Sequence, residues 1–281
     1  MLKNLLNKVF GNATDEIPAE KRPALILTPS GPTVDIRPDP IDICFCGSGK
    51  FFKSCCGSRE TKRKPPYGVF VEENYLDPSI VKELVEFADH QQGKRMLVID
   101  RNASTADNIV KVEHKKRTSD RMEMGEYQKT INQIMKTAFV DLTKKYLNRE
   151  LDWIETPQLM RYETGGTYLA HADNENMDLK TRTWSRVMDR DLSMLIYLNE
   201  EFKGGMLHYD KFNYRIRPKA GMAVLFPADN RYMHAAEEVT AGVRYVIVSW
   251  ASVTGVPKIA NNPPPAIVPV NYKKPSSETG D

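Results

Sequence analysis

Cysteine is scarce in this chain of 281 residues: there are four, all between positions 44 and 56. A disulfide scaffold would spread its cysteines to close long loops, so this crowding argues instead for a bound metal in a reducing compartment. No apolar run approaches the roughly 20 residues that a membrane-spanning helix needs. The first ten residues lack the apolar core and small-residue cleavage site of a signal peptide. Leu2, Leu5, Leu6 and Val9 share one helical face, which predicts a short docking helix, with a membrane-surface anchor as the lesser reading. A cytoplasmic protein is expected. An excess of charge is also lacking: 40 basic against 37 acidic residues leave a formal +3, with signs alternating along the chain. That gives no global argument for nucleic-acid or membrane binding.

The organisation reads as modules. Residues 1–41 hold the short helix and an irregular segment, and 42–58 hold the cysteines. Residues 59–66 form a basic linker whose prolines suit an extended spacer. The main domain is expected over 67–256, with a disordered tail over 257–281. Within the domain, Tyr67–Asn74 reads as a strand. Asp77-Pro78 then supplies a capping side chain and a proline for a helix carrying Ile80, Val81, Leu84, Val85 and Ala88 on its apolar face. A second helix is expected at about 126–147, with Ile131, Ile134, Met135, Ala138, Phe139, Leu142 and Tyr146 in period. From about 157 short β-rich segments follow, among them Leu192–Asn199, Gly205–Asp210, Ala223–Phe226 and Val243–Trp250. Closely spaced short strands suggest a sandwich or jelly roll, and helices followed by strands give an α+β class.

Three residues stand out in the strand-rich part: His171, Asp173 and His234. In an extended strand, residues i and i+2 face one way with Cα atoms roughly 6.5–7 Å apart. An imidazole and a carboxylate can therefore converge on one ion while a second imidazole arrives from a distant strand. Two histidines and one carboxylate on one face of a metal leave positions open, the arrangement of non-haem Fe(II) oxygenases. A His-x-Asp pair alone is mostly structural; here His234, Arg244 and the flanking pattern accompany it. On the last strand, Arg244 alternates in phase with Val246, Val248 and Trp250, which points it inward, where it could grip a carboxylate with two prongs. Tyr197 and Tyr162 could add hydroxyl donors. His90, His114 and His208 have no partner spacing and read as surface or satisfied core positions. The polar run 174–190, with Arg182, Trp184 and Arg186, reads equally as a lid beside the site or as a plain surface loop.

The ordered set Val69–Leu76, Arg117–Ser119, Tyr162, Gly166–Tyr168, His171, Asp173, Ile196–Asn199, Gly204-Gly205, Pro218–Gly221, Leu225–Pro227, His234, Arg244 and Trp250 resembles the 2-oxoglutarate- and Fe(II)-dependent dioxygenases of the prolyl 4-hydroxylase-like branch. The resemblance covers about 67–252. It implies a double-stranded β-helix (jelly roll) with supporting N-terminal helices. It also implies iron bound by His171, Asp173 and His234, with the distal carboxylate of 2-oxoglutarate on Arg244 and Tyr197. Tyr162 would line the cosubstrate pocket. Dioxygen would be the second cosubstrate, and ascorbate a possible auxiliary reductant. Many members carry lysine at the position of Arg244, whereas the oxygen-sensing prolyl hydroxylases carry arginine. Asp173 argues against halogenation, because related halogenases have a small residue there.

Cys44-x-Cys46-x8-Cys55-Cys56, with Gly-Ser-Gly-Lys and paired aromatics between, resembles the zinc-binding SEC-C motif. That resemblance implies a closed tetrahedral structural Zn(II) site made by all four thiolates, whose metal would supply most of the folding energy of so small a module. It implies contacts with proteins or ribosomes. Lys50, Lys53, Arg59, Lys62, Arg63 and Lys64 make the region locally basic, leaving nucleic acid open, although a solvated basic loop is the commoner origin of such a run. The expectation is thus a zinc-binding adaptor joined to a dioxygenase that hydroxylates a carbon of a protein or peptide, most plausibly proline, releasing succinate and carbon dioxide. The alternatives are a non-catalytic interaction protein, or the same chemistry on a nucleic acid, lipid or small metabolite.

Overall fold

The computed structural model describes residues 64–96 and 117–271, together with 33–34, 40–41, 44, 50–55, 58, 98–99 and 111–112. The expected helix at 1–10, Cys46, Cys56, His114, residues 59–63 of the linker and positions 272–281 lie outside the described residues.

Helix α1, Pro78–Asp89, begins where its cap predicts: the Asp77 carboxylate accepts from the Ser79 amide at 2.8 Å, and Pro78 takes the first turn. Helix α2, Gln128–Leu147, buries Ile131, Ile134, Met135, Ala138, Phe139 and Leu142, the stripe its 3.6-residue period lays down. It ends at Asn148, in the left-handed conformation at φ 50°.

The rest is mostly β, in a jelly-roll-like arrangement. A nine-stranded sheet runs Phe70–Glu72, Ala223–Pro227, Leu192–Tyr197, Arg244–Val253, Gln158–Tyr162, Asp120–Met122 and Gly93–Arg95. Leu151–Glu155 pairs further along Arg244–Val253, and Ile267–Pro269 pairs with Leu151–Glu155. A four-stranded sheet runs Tyr214–Ile216, Leu207–Tyr209, His234–Ala236 and Tyr168–His171. Strand alternation sorts the large sheet into two faces. Tyr245, Ile247, Ala251 and Val253 join Leu192, Met194 and Ile196 in a core with both helices. Val246, with Val248 packed alongside, joins Tyr162, Tyr197, Leu207 and Phe226 in a second core that spans the two sheets.

Two expectations change. The chain from 257 is not without structure: Ile267–Pro269 extends the large sheet, with Val268 opposite Ile154. Nor does the run 174–190 form an open loop. Glu175–Asp178 and Thr183–Arg186 pair as a hairpin, and Asp178 Oδ1 accepts from the Lys180 and Thr181 amides at its turn. Thr33–Val34 adds a third strand to that hairpin. The described part of the cysteine region packs on the domain: Cys44 and Cys55 are buried in the core between the sheets, Phe52 packs against it, and Asn213 Nδ2 donates to the Ser58 carbonyl at 2.7 Å.

Candidate active site

Sixty-three positions separate His171 from His234, yet the two are direct partners across adjacent strands of the small sheet. Their rings lie 4.4 Å apart between centroids. Asp173 sits just beyond the end of the Tyr168–His171 strand, where its amide donates to the Ala228 carbonyl at 2.9 Å. Its carboxylate reaches both imidazoles, with His171 Nε2 3.5 Å from Oδ1 and His234 Nε2 3.6 Å from Oδ2. One donor atom from each of the three side chains lies within 4.8 Å of the others.

The outer hydrogen bonds orient these groups. His171 Nδ1 faces the Leu169 carbonyl at 2.8 Å, and His234 Nδ1 faces the Tyr232 carbonyl at 3.2 Å. With a proton on each Nδ1, both Nε2 lone pairs turn toward Asp173. Burial pushes the His234 imidazole down to about 4, against the pull of Asp173, so it is neutral near pH 7. Burial alone would raise the Asp173 carboxyl. The imidazoles and the Ser193 hydroxyl, which donates at 2.6 Å, outweigh it and hold the group well below the ordinary carboxylate range. Two nitrogens and one oxygen suit a divalent first-row metal such as Fe(II).

These residues line a cavity of about 290 Å³ between the two sheets. Its other charged end is Arg244, 2% exposed, whose guanidinium carbon lies 4.0 Å above the Tyr162 ring and whose Nη1 donates to the Gly205 carbonyl at 2.7 Å. Arg244 Nε is buried with no hydrogen-bond partner among the described residues. Tyr162 stands opposite Arg244 in the sheet register, and Tyr197 is buried beside it. Burial raises the Tyr197 phenol, Arg244 pulling the other way, so Tyr197 is a donor at any ordinary pH. All six residues read from the sequence for iron and cosubstrate therefore line one cavity. For the zinc set, Cys44 and Cys55 are both buried, and the other two cysteines lie outside the described residues.

Sequence reasoning missed part of the wall. Arg190 bonds both Glu155 carboxylate oxygens, at 2.5 and 2.7 Å, donates to the Asp173 carbonyl at 3.2 Å, and lies 3.7 Å over the Trp250 ring. Arg117 lies 4.6 Å over the Tyr168 ring, which stacks on His171 at 3.7 Å. Ser193 was legible in principle, since it alternates with Leu195 and Tyr197; the pairing of Arg190 with Glu155 joins strands that no spacing connects. His208 stays out of the cavity, 3.5 Å from Glu237, and His90 is exposed with Nδ1 at the Glu86 carbonyl. Of the run 174–190, Arg190 lines the cavity, and no lining residue comes from its hairpin.

Residues 157–252 match a family described as the 2OG-Fe(II) oxygenase superfamily. A protein of Acanthamoeba polyphaga mimivirus named "Putative prolyl 4-hydroxylase" is 26% identical over 191 residues, 64% of this chain and 72% of the relative. A PKHD-type hydroxylase of Aliarcobacter butzleri is 34% identical over 100 residues, 34% of this chain and 43% of that protein, so the match spans under half of the bacterial relative. Among solved structures, the viral collagen prolyl hydroxylase of Paramecium Bursaria Chlorella virus-1 is similar at a TM-score of 0.48 and 17% identity, over 66% of this chain and 97% of that one.

Proposed function

We propose that the protein is a 2OG-Fe(II) oxygenase of the prolyl hydroxylase type, as the family match over residues 157–252 and the mimivirus relative support, and that it hydroxylates a carbon of a prolyl residue in a protein or peptide, converting 2-oxoglutarate and dioxygen to succinate and carbon dioxide. The observation that carries the reading is one cavity with the His171, Asp173 and His234 cluster at one side and a buried guanidinium at the other.

His171, Asp173 and His234 would hold Fe(II). Bound iron and 2-oxoglutarate supply the activation of dioxygen that no side chain can perform. The protein's own share is placement. Ser193 and the two Nδ1 contacts fix the ligand atoms. Arg244, Tyr197 and Tyr162, all buried, would seat the distal carboxylate of the keto-diacid through a charge-assisted contact. One carboxylate against a divalent ion leaves a positive balance, which favours an anionic cosubstrate. Trp250, Val248 and Tyr168 give apolar walls for a pyrrolidine ring.

The four cysteines Cys44, Cys46, Cys55 and Cys56 would bind a structural Zn(II), making a module suited to hold a protein partner, a ribosome among the candidates.

The test is succinate release from 2-oxoglutarate on proline-containing peptides, with products read by mass for a gain of one oxygen atom. Turnover should require Fe(II) and disappear in His171→Ala. Fe(II)-independent turnover, or turnover surviving that substitution, would reject the assignment.

A further inference from the structure

The region that carries the cysteines lands beside His234. Ser58 donates its amide to the Cys55 carbonyl at 3.1 Å, and its own carbonyl accepts from Asn213 Nδ2 at 2.7 Å. Nine residues on, the Tyr67 carbonyl accepts from the Tyr232 hydroxyl at 3.0 Å. Gly68 follows, and a Cβ there would collide with that phenol.

Asn213 and Tyr232 lie at the ends of two short 3-10 turns, Asp210–Phe212 and Asn230–Tyr232. The turns sit side by side: Lys211 Nζ is 3.2 Å from Asn230 Oδ1, and the Phe212 and Tyr232 rings are 5.4 Å apart between centroids. Both rings are buried in the core that also takes in Cys44 and Cys55. The Tyr232 carbonyl faces His234 Nδ1 at 3.2 Å. One run of contacts therefore leads from Cys55 through Ser58, Asn213, Phe212 and Tyr232 to the His234 imidazole. The carbonyl at its end holds the Nδ1 proton and so aims the Nε2 lone pair. A packed interior passes small displacements on, so a turn clamped on one face by Ser58 and Tyr67 fixes the carbonyl on the other.

We propose that Asn213 and Tyr232 are positioning residues that dock the cysteine region against the turn before His234, so that this region sets the aim of that ligand. The role rests on the reading of His171, Asp173 and His234 as the metal site. It gives the N-terminal module a share in building that site, besides any partner the module holds.

Asn213 sits at φ 47°, in the left-handed region that glycine adopts freely. Asn213→Gly thus removes the bond to Ser58 and keeps the turn, and Tyr232→Phe removes only the bond to Tyr67. Tyr127→Phe, which deletes a bond of 2.6 Å to Glu83 between the two helices, is the comparison. Mn(II) affinity of each full-length variant is read by electron paramagnetic resonance, with Asp173→Ala marking binding outside the site. Each dock variant should weaken Mn(II) binding about three- to tenfold. The double variant should lose less than the product of the two, because both act through one dock. Tyr127→Phe should bind as wild type does. Wild-type affinity in either dock variant, effects that multiply in the double variant, or an equal loss in Tyr127→Phe would overturn the proposal. Mn(II) binding that Asp173→Ala does not weaken sinks the metal-site reading itself. A loss in Asp173→Ala with none in the dock variants sinks only the positioning role.

Discussion

Arg244 is a buried guanidinium that no carboxylate pairs with among the described residues, its partners being the Tyr162 ring and the Gly205 carbonyl. A buried charge is costly unless an opposite charge meets it. Arg244→Met should therefore raise KM for 2-oxoglutarate roughly ten- to a hundred-fold, and Arg244→Lys less, since it keeps the charge and loses the fork. Steady-state kinetics at varied cosubstrate checks both; an unchanged KM in the methionine variant would remove Arg244 from the site. The alternation of Val246, Val248 and Trp250 made its inward aim legible in the sequence. The engagement of Arg190 by Glu155 was not legible, because it depends on which strands become neighbours. At the same scale, His234 gives the metal-free protein an acid weakness. Its folded-state pKa of about 4 lies below the ordinary 6.5, so the unfolded chain binds more protons between those values and stability falls as pH drops through that window. Asp173, held low in the folded state, adds a further loss only below the ordinary carboxylate range. Denaturant midpoints of the metal-free protein should fall from pH 6.5 to 4, and the fall should be much smaller in His234→Gln.

At the level of elements, the turn before Leu207–Tyr209 couples fold to site. Gly204 has φ +69°, and a Cβ there would collide with the Glu238 carbonyl. Its neighbour Gly205 supplies the carbonyl on which Arg244 rests. Gly204→Ala should thus lower thermal stability by more than the roughly 1 kcal/mol typical of a tolerated glycine change and weaken 2-oxoglutarate binding together with it. Thermal melts and cosubstrate KM read the two effects; a variant as stable and as tight as wild type would contradict this coupling. The helices were legible down to the Asp77 cap because local capping and the 3.6-residue stripe decide them. The 174–190 hairpin was not. Its base is fixed by Glu175 accepting from the Asn230 amide and side chain at 2.7 Å, and by Arg186 reaching Asp189 and Asp191. Ile267–Pro269 escaped notice for the same reason, as three residues gain strand character only from the edge they meet.

Across the whole molecule, the fold brings to one cavity residues that are up to 154 positions apart in sequence, Met96 and Trp250. The ligand trio was legible as a spacing, but the pairing of His171 with His234 and the placement of Arg244 across the cavity are products of that closure. The central claim is that metal and keto-diacid occupy one site. Equilibrium dialysis of 2-oxoglutarate against the Mn(II)-loaded protein, without oxygen, tests it most directly. One equivalent should bind in the presence of metal, and essentially none without metal or in Asp173→Ala. Binding that is indifferent to both the metal and that substitution would contradict the account.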